Sequence, residues 1–293
     1  MASTVELQFS DIDKASSSTQ SRRSFKARWK ESRGILLGTQ VAILCALTAL
    51  WEFVSGNPGE PHVLIDKFYV SQPTEIWAAL VDWAKDGILL PSVAVTLEEA
   101  LLGFFAGAVI GLLGGILLGI NQYLAKIFTP FVNAIYSIPR TALVPLFMLW
   151  FGIGLMSKVA LVAAVVAFLV FFSTFAGVRD VDRELIDKLR LMRASTWQVH
   201  TKVTVPSAMT FIISGLNISA PYALVMAVTA EMLGSNRGMG YLLINSTGQF
   251  YTAGVFAALV MMMGVGVVFM FGIQLLSNRL LKWKNARAIR EEF

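Results

Sequence analysis

A charged residue inside an otherwise apolar segment is the first position where this sequence could do chemistry. Arg140 follows Pro139 in a segment that also contains Pro130 and Pro145. Proline breaks a helix, and a charge at bilayer depth costs about 2.5–3.5 kcal/mol on the insertion scale. Irregular backbone and buried charge are tolerated only against protein or a water-filled cavity. We therefore predict that residues 137–145 line an interior surface, where Arg140 either borders a conduction path or pairs with a carbonyl freed by a proline.

Polar residues also interrupt the apolar segment 208–232. Asn217 and Tyr222 stand in its interior, and we expect both to line a path. Glu231 stands at its outer end, shortly before Arg237. Glu231 could act as a gate or as a structural partner. Since charges at a membrane boundary usually find a partner or water, we favour an ion pair between Glu231 and Arg237.

Catalytic and metal-binding patterns are absent from the sequence. No P-loop, HExxH or GxSxG motif occurs. Adjacent residues Glu98 and Glu99 project about 100° apart on a helix and flank the start of a span, so we expect both to be solvated or interfacial. The single cysteine, Cys45, and the two histidines, His62 and His200, lie far apart in the chain. We therefore expect no metal site and no cofactor bound by this chain.

The composition indicates a membrane protein. Of 293 residues, 56% are hydrophobic and 15% are charged, whereas soluble domains are about 45–50% apolar and about 25% charged. Six apolar blocks each reach about 20 residues, the length that a spanning helix needs. These blocks are residues 34–54, 94–120, 124–151, 156–177, 208–232 and 252–277. We predict an all-α integral membrane protein with six transmembrane helices in a domain of residues 34–277.

Basic residues are distributed unevenly between the two ends of these blocks. Nineteen of the 24 Lys and Arg residues fall on the side that holds both termini, four fall on the opposite side, and Arg140 lies within a block. Basic residues are retained on the cytoplasmic side of a membrane. We therefore predict cytoplasmic termini, with a partly disordered basic tail at residues 1–33 and a second tail at 278–293. A periplasmic segment at 56–91 and a cytoplasmic loop at 178–207 follow from the same topology.

A glycine recurs at every fourth position of the second block. Positions four apart lie on one stripe of a helix, and glycine lets another helix approach closely. We favour packing within the chain over a subunit interface as the role of this stripe. Its members are Gly103, Gly107, Gly111, Gly115 and Gly119.

The polar interval after the fourth block carries a spaced pattern. Asp187-Lys188-Leu189 is followed after three residues by Arg193 and, nine residues later, by a run that ends at Pro206. This spacing resembles the loop motif of binding-protein-dependent ABC permeases, Glu-Ala-Ala, three residues, Gly, nine residues, Ile-x-Leu-Pro. Arg193 replaces the family glycine, which implies either an ordinary backbone conformation at that position or a strained one.

Four further runs resemble the nitrate, sulfonate and taurine permease group of that family. They occur in matching order, and the resemblance covers about residues 70–280. The runs are residues 137–146, 149–154, 194–199 and 230–241. The sequence is thereby similar to type I ABC importer permeases.

The resemblance implies a role for particular residues. In that family the loop forms a short coupling helix that docks on a cytoplasmic ATPase, here within residues 182–204, and the apolar spacing of the loop is helical. The residues expected to couple to the ATPase are Leu185, Asp187, Leu189, Arg193, Trp197 and Pro206. Those expected along the translocation path are Pro139, Arg140, Asn217 and Tyr222.

The resemblance also implies partners. It predicts a cytoplasmic ABC ATPase dimer that binds the ATP, a second permease chain in a homo- or heterodimer, and a periplasmic solute-binding protein. The chain would be a non-catalytic, multi-pass subunit in the lipid of a bacterial inner membrane, with no nucleic-acid partner. The expected solute is a small anion of the sulfonate or nitrate type, or a related small organic molecule.

Two other functional classes compete with this interpretation. An ion-coupled secondary transporter needs carboxylates inside the membrane, and the spans offer little beyond Glu52 and Glu231, both near span ends. A membrane-embedded enzyme needs a nucleophile with a base, or a metal cluster, and the sequence shows neither. The secondary transporter remains the main alternative.

Overall fold

The computed structural model describes residues 36–57 and 63–280, which are mainly helical. The predicted tail 1–33 and nearly all of the predicted tail 278–293 lie outside the described residues. Two short strands, β1 (Ser55–Gly56) and β2 (Ile65–Asp66), pair in parallel. The helices are α1 (Leu36–Val54), α2 (Lys67–Val70), α3 (Pro73–Lys85), α4 (Leu89–Ile120), α5 (Gln122–Tyr136), a 3-10 turn (Arg140–Leu143), α6 (Val144–Phe151), α7 (Leu155–Arg179), α8 (Arg183–Leu191), α9 (Thr196–Val199), a π turn (His200–Thr204), α10 (Val205–Gly234), α11 (Met239–Gly248) and α12 (Thr252–Leu280).

Five described helices are long and apolar enough to cross a membrane. They are α1, α4, α7, α12 and the run Thr196–Gly234 that contains α10. The sixth candidate is a bent pair, in which α5 and the run Arg140–Phe151 meet at 88°. At about 22 Å, α5 is shorter than the ~30 Å hydrocarbon core, so it needs the second arm to cross. The predicted all-α membrane fold is confirmed, with its third segment broken as the prolines indicated. The side on which the termini lie stays a prediction.

The first compact unit ends at Thr74. Its α1 is followed directly by β1, and the side chain of Gln72 donates to the carbonyl of Ser55 at 2.6 Å. The carboxylate of Glu52 accepts from the backbone N–H of Thr74 at 3.1 Å and from its hydroxyl at 2.7 Å. A carboxylate at this position satisfies a donor in the first turn of α3, which has no partner within the helix.

In the second unit, residues 75–293, α4 and α7 pack backbone to backbone. All five glycines of the stripe are buried, and each faces α7. A Cβ atom at Gly107 would collide with the carbonyl oxygen of Ala163, and one at Gly111 with that of Ala167. The stripe therefore packs within the chain, and it brings the two helices closer than any side chain would allow.

A neighbouring face of α7 packs against α10. Here α7 and α10 each contribute a glycine: Gly177 faces the ring of Phe211, and Gly215 faces Ser173. The core between α4, α7 and α10 is filled by valines and alanines, among them Val166 and Ala223, which are fully buried. Small and β-branched residues suit this site because helices in lipid associate through close van der Waals contact.

The stripe can be tested with a matched pair of substitutions in α4. Gly107→Ala should lower the stability of the protein by about 1–3 kcal/mol, because the new methyl group meets backbone that cannot yield. Gly114→Ala adds the same methyl where only the ring of Phe171 lies within van der Waals contact. This control should keep or raise stability by up to about 1 kcal/mol through helix propensity. Thermal unfolding in detergent would measure both, and equal midpoints for the two variants would contradict the close approach.

Candidate functional site

The predicted coupling loop folds as two short helices at the surface. α8 is capped by Asp182, whose carboxylate accepts from the backbone N–H of Glu184 at 2.9 Å. An exposed ion pair joins Glu184 to Lys188 at 2.8 Å along the same helix. α9 begins with a capping box in which Ser195 and Gln198 each accept from the other's backbone N–H. Local capping therefore specifies both helices, because each cap satisfies donors that the helix leaves unpaired.

Arg193 forms the turn between α8 and α9 in a left-handed conformation, with φ of 59°. Its N–H donates to the carbonyl of Arg190 at 2.9 Å, and the N–H of Ala194 donates to that of Leu189 at 3.1 Å. This pair of bonds is a Schellman motif, whose left-handed residue is usually glycine. The sequence left two alternatives open for Arg193, and the structure shows the strained one, at a cost of about 1–2 kcal/mol.

Large apolar side chains are exposed on this otherwise polar segment. Trp197 is 76% exposed and Leu191 is 85% exposed. Leu185 and Met192 are exposed as well. Several large exposed apolar side chains on a segment that is otherwise polar are typical of a surface that contacts a partner. We call this set, Leu185, Leu191, Met192 and Trp197, the apolar patch.

The other residues predicted to couple occupy different surroundings. Leu189 is half-buried, and Pro206 is half-buried at the second position of α10. Asp187 borders a cleft of about 430 Å³ between the α8–α9 segment and the ends of α4 and α7. Gly119 and Val178 line the same cleft from those two spans. The predicted set therefore spreads from the surface to the base of the spans and does not form one cluster.

The structure brings two of the predicted path residues together. The guanidinium of Arg140 lies 5.1 Å from the ring centroid of Tyr136 and 5.2 Å from that of Tyr222. It also donates to the hydroxyl of Tyr136 at 2.9 Å. Pro139 directly precedes this arginine, at the break between α5 and α6. Among the described residues, Arg140 has a tyrosine hydroxyl as its partner and neither a freed carbonyl nor a carboxylate.

Asn217 stands apart from that group. Its side-chain oxygen accepts from the hydroxyl of Ser277 at 2.9 Å, which links α10 to α12. Ser277 is buried, whereas Asn217 is exposed. The two polar residues of α10 predicted to line one path therefore make different contacts: Tyr222 lies against Arg140, and Asn217 bonds to Ser277.

The buried ion pair between Glu99 and Lys158 was missed by the sequence analysis. The two side chains meet at 2.6 Å, and their side chains are 2% and 6% exposed. The prediction that Glu99 is solvated or interfacial is wrong, although Glu98 is exposed. Glu99 lies four residues before Gly103, so it continues the glycine stripe and faces α7, which carries Lys158. That spacing was the available signal.

The predicted pair between Glu231 and Arg237 is also wrong. Glu231 is fully buried, whereas Arg237 is exposed. The Glu231 carboxylate accepts from the hydroxyl of Thr96 at 2.6 Å and from the backbone N–H of Gly240 at 2.7 Å. A Cβ atom at Gly238, where φ is 104°, would overlap that carboxylate. The glycines after Glu231 therefore let the loop fold over it, which removes the need for a basic partner.

The family described as "Binding-protein-dependent transport system inner membrane component" matches residues 103–282. The chain belongs to this family. It is thus an inner-membrane permease component of an ABC importer, as the loop motif indicated, and this finding favours the ATP-driven class over the ion-coupled alternative and over an enzyme.

Several relatives of this permease have names that state a solute. The putative aliphatic sulfonates transport permease protein of Bacillus subtilis is 28% identical over 275 residues, covering 94% of this chain and 96% of the relative. The taurine transport system permease protein of Escherichia coli is 28% identical over 89% of this chain and 94% of the relative. The riboflavin transport system permease protein of Chloroflexus aurantiacus is 32% identical over 71% of this chain and 76% of the relative.

Solved structures share the fold of this permease. A chain of the MetNI methionine ABC transporter in an inward-facing conformation superposes with a TM-score of 0.57 at 22% identity. The match covers 68% of this chain and 97% of the other. A chain of an amino acid ABC transporter gives a TM-score of 0.56 at 16% identity, with the same coverage. Both matches support the importer permease fold.

The strained turn gives a direct test of the α8–α9 geometry. Arg193→Gly should stabilise the permease by about 1 kcal/mol, because glycine adopts a positive φ without steric cost. Met192→Gly, one residue earlier at φ of −77°, is the matched control. It should instead lose about 0.5–1 kcal/mol, since glycine gains nothing there and loses backbone entropy. Thermal unfolding would separate them, and a loss of stability in Arg193→Gly would contradict the left-handed turn.

Proposed function

We propose that this permease forms half of a solute path and couples it to a separate cytoplasmic ATPase through residues 182–204. The observation that carries the proposal is the apolar patch, which lies on a polar, capped two-helix segment between two spans. Trp197 alone leaves most of a large ring in water. Aromatic side chains in this setting are typical anchors for a partner's pocket.

The cleft behind the α8–α9 segment supports mechanical coupling. Asp187 and Val199 border it from the segment, and Gly119 and Val178 border it from α4 and α7. The segment therefore lies directly beneath the two spans that the glycine stripe holds together. Movement of the ATPase subunits would be transmitted to these spans as rigid-body tilting, which alternates access to the path.

The assembly we propose follows the family. Two permease chains, identical or different, would enclose one path above an ATPase dimer, and a periplasmic solute-binding protein would deliver the solute. ATP would be bound by the ATPase subunits. The predicted orientation, with the α8–α9 segment in the cytoplasm, agrees with its basic residues Lys188, Arg190 and Arg193.

The proposed solute path passes Arg140. This arginine lies between two tyrosines, Tyr136 and Tyr222, without a carboxylate partner among the described residues. The remaining guanidinium donors suit an oxyanion, which arginine can bind with two hydrogen bonds. Pro139 would hold the break open at this point, and Asn217 would act in α10–α12 packing beside the path. We therefore propose a small anion such as a sulfonate, or a related small organic molecule, as the solute.

The coupling proposal predicts an effect specific to the apolar patch. Trp197→Ala should reduce co-purification of the ATPase and solute uptake by about tenfold or more, since an anchor residue contributes about 2 kcal/mol or more. Trp77→Ala is the matched control, because Trp77 is 69% exposed on α3, outside the α8–α9 segment. It should leave both measurements unchanged.

A stronger form of this test replaces the whole segment. With residues 182–204 exchanged for a Gly/Ser linker, the ATPase should no longer co-purify. An ATPase that stays bound to this variant would show that the coupling assignment is wrong, whatever the solute.

The path proposal predicts that Arg140→Gln reduces uptake of an anionic solute by about ten- to a hundredfold, as expected for a lost charged hydrogen bond of about 1.5–3 kcal/mol. Assembly with the ATPase should be retained. Lys126→Gln removes the same charge from an exposed site in the first turns of α5 and serves as the control. Radiolabelled taurine or sulfonate uptake in proteoliposomes would measure both, and equal uptake by the two variants would exclude Arg140 from the path.

A further inference from the structure

Three ionisable side chains are buried together where α4, α7 and α10 meet. Glu99 is 1% exposed, Lys158 is 5% exposed and Glu231 is fully buried. Lys158 donates to Glu99 Oε1 at 2.6 Å and to the hydroxyl of Ser235 at 2.8 Å. The cluster thus contains one cation and two carboxyl groups.

One oxygen of this cluster has no partner. Glu99 Oε2 is buried and makes no hydrogen bond. Thr96, which lies one turn before Glu99 on α4, donates to Glu231 and brings the two carboxyl groups to one site. Both Glu231 oxygens already accept hydrogen bonds, from Thr96 and Gly240. With both carboxyls ionised, the cluster would hold a net negative charge and an orphaned acceptor in a buried site, and each of these is costly.

A single proton removes both costs. We propose that Glu99 and Glu231 bind one proton between them, as a carboxyl–carboxylate pair beside the charged Lys158. The proton forms an O–H group on one glutamate that donates to the other, and it satisfies Glu99 Oε2. Two carboxyls that share a site cannot both ionise readily, which is the physical basis for proton retention.

The loop between α10 and α11, residues 235–238, is held in place by hydrogen bonds to the same cluster. At the start of the loop, Lys158 donates to the hydroxyl of Ser235. At its end, the N–H of Met239 donates to the hydroxyl of Thr96, and the N–H of Gly240 donates to the carboxylate of Glu231. A cleft of about 570 Å³ reaches Glu99 and Lys158 from the surface. The other charged groups at this cleft are Glu98 and Arg237, and both are exposed. Loss of the proton would leave two carboxylates beside one lysine, and their repulsion would weaken the hydrogen bonds that hold the loop.

The test compares glutamine variants of the assembled transporter in lipid nanodiscs. An unfolded glutamate loses its proton near pH ~4.3, so at neutral pH the folded chain holds one more proton than the unfolded chain. The unfolding equilibrium constant should then rise about tenfold per pH unit, and the thermal midpoint should fall as pH rises. Glu231→Gln or Glu99→Gln should remove this dependence, because an amide supplies the hydrogen permanently.

Glu98→Gln is the matched control, because Glu98 is the exposed neighbour on the same helix. It should keep the wild-type pH dependence. Infrared spectra provide a second readout that does not require unfolding: the wild type and Glu98→Gln should show a carboxylic-acid C=O band at neutral pH, and Glu99→Gln should change or lose it. Absence of that band from the wild type, or an unaltered band and pH dependence in both cluster variants, would overturn the proposal.

Discussion

The close approach of α4 and α7 is the contact on which the other described parts of the helical unit depend. Helices in lipid gain little from hydrophobic burial, so they associate where small residues allow backbone contact. The glycine stripe supplies this contact along four turns of α4. Glu99 lies one turn before the first glycine of the stripe, on the same face of α4, and pairs with Lys158 of α7. The last glycine, Gly119, packs against Val178 at the cleft behind α8 and α9. The contact between α4 and α7 therefore positions the buried charges at one end and the α8–α9 segment at the other.

The break between α5 and α6 satisfies a different constraint. A helix interrupted by prolines leaves polar backbone groups that lipid cannot satisfy, so the break must face protein or water. The sequence places Arg140 at this break, and the structure surrounds its guanidinium with tyrosines from α5 and α10. Aromatic faces attract a cation without neutralising it, and the arginine keeps its charge and most of its donors. Such an arginine remains able to bind an anion, whereas a carboxylate partner would have occupied it.

Much of the fold could be predicted from the sequence because its signals are local. The length of apolar runs indicates the spans, the prolines indicate the bend, and the four-residue spacing of glycines indicates which face of α4 is packed. The site was less predictable, because its contacts join distant parts of the chain. Glu99 and Lys158 pair across 59 positions, and Glu231 is satisfied by Thr96, from another helix. Arg193 illustrates a further limit, since the Schellman hydrogen bonds determine its conformation and its residue type gives no sign of it.

The helix that begins at Thr196 runs without interruption through the π turn and α10 to Gly234, a length of 39 residues. At 1.5 Å per residue this rod is about 58 Å long, and a tilt of about 10° at one end would displace the other by about 10 Å. Its first turn carries Trp197, and its last turn carries Glu231. Trp197 and Glu231 therefore stand near the two ends of one helical run, and its π turn and Pro221 are the positions at which that run can bend.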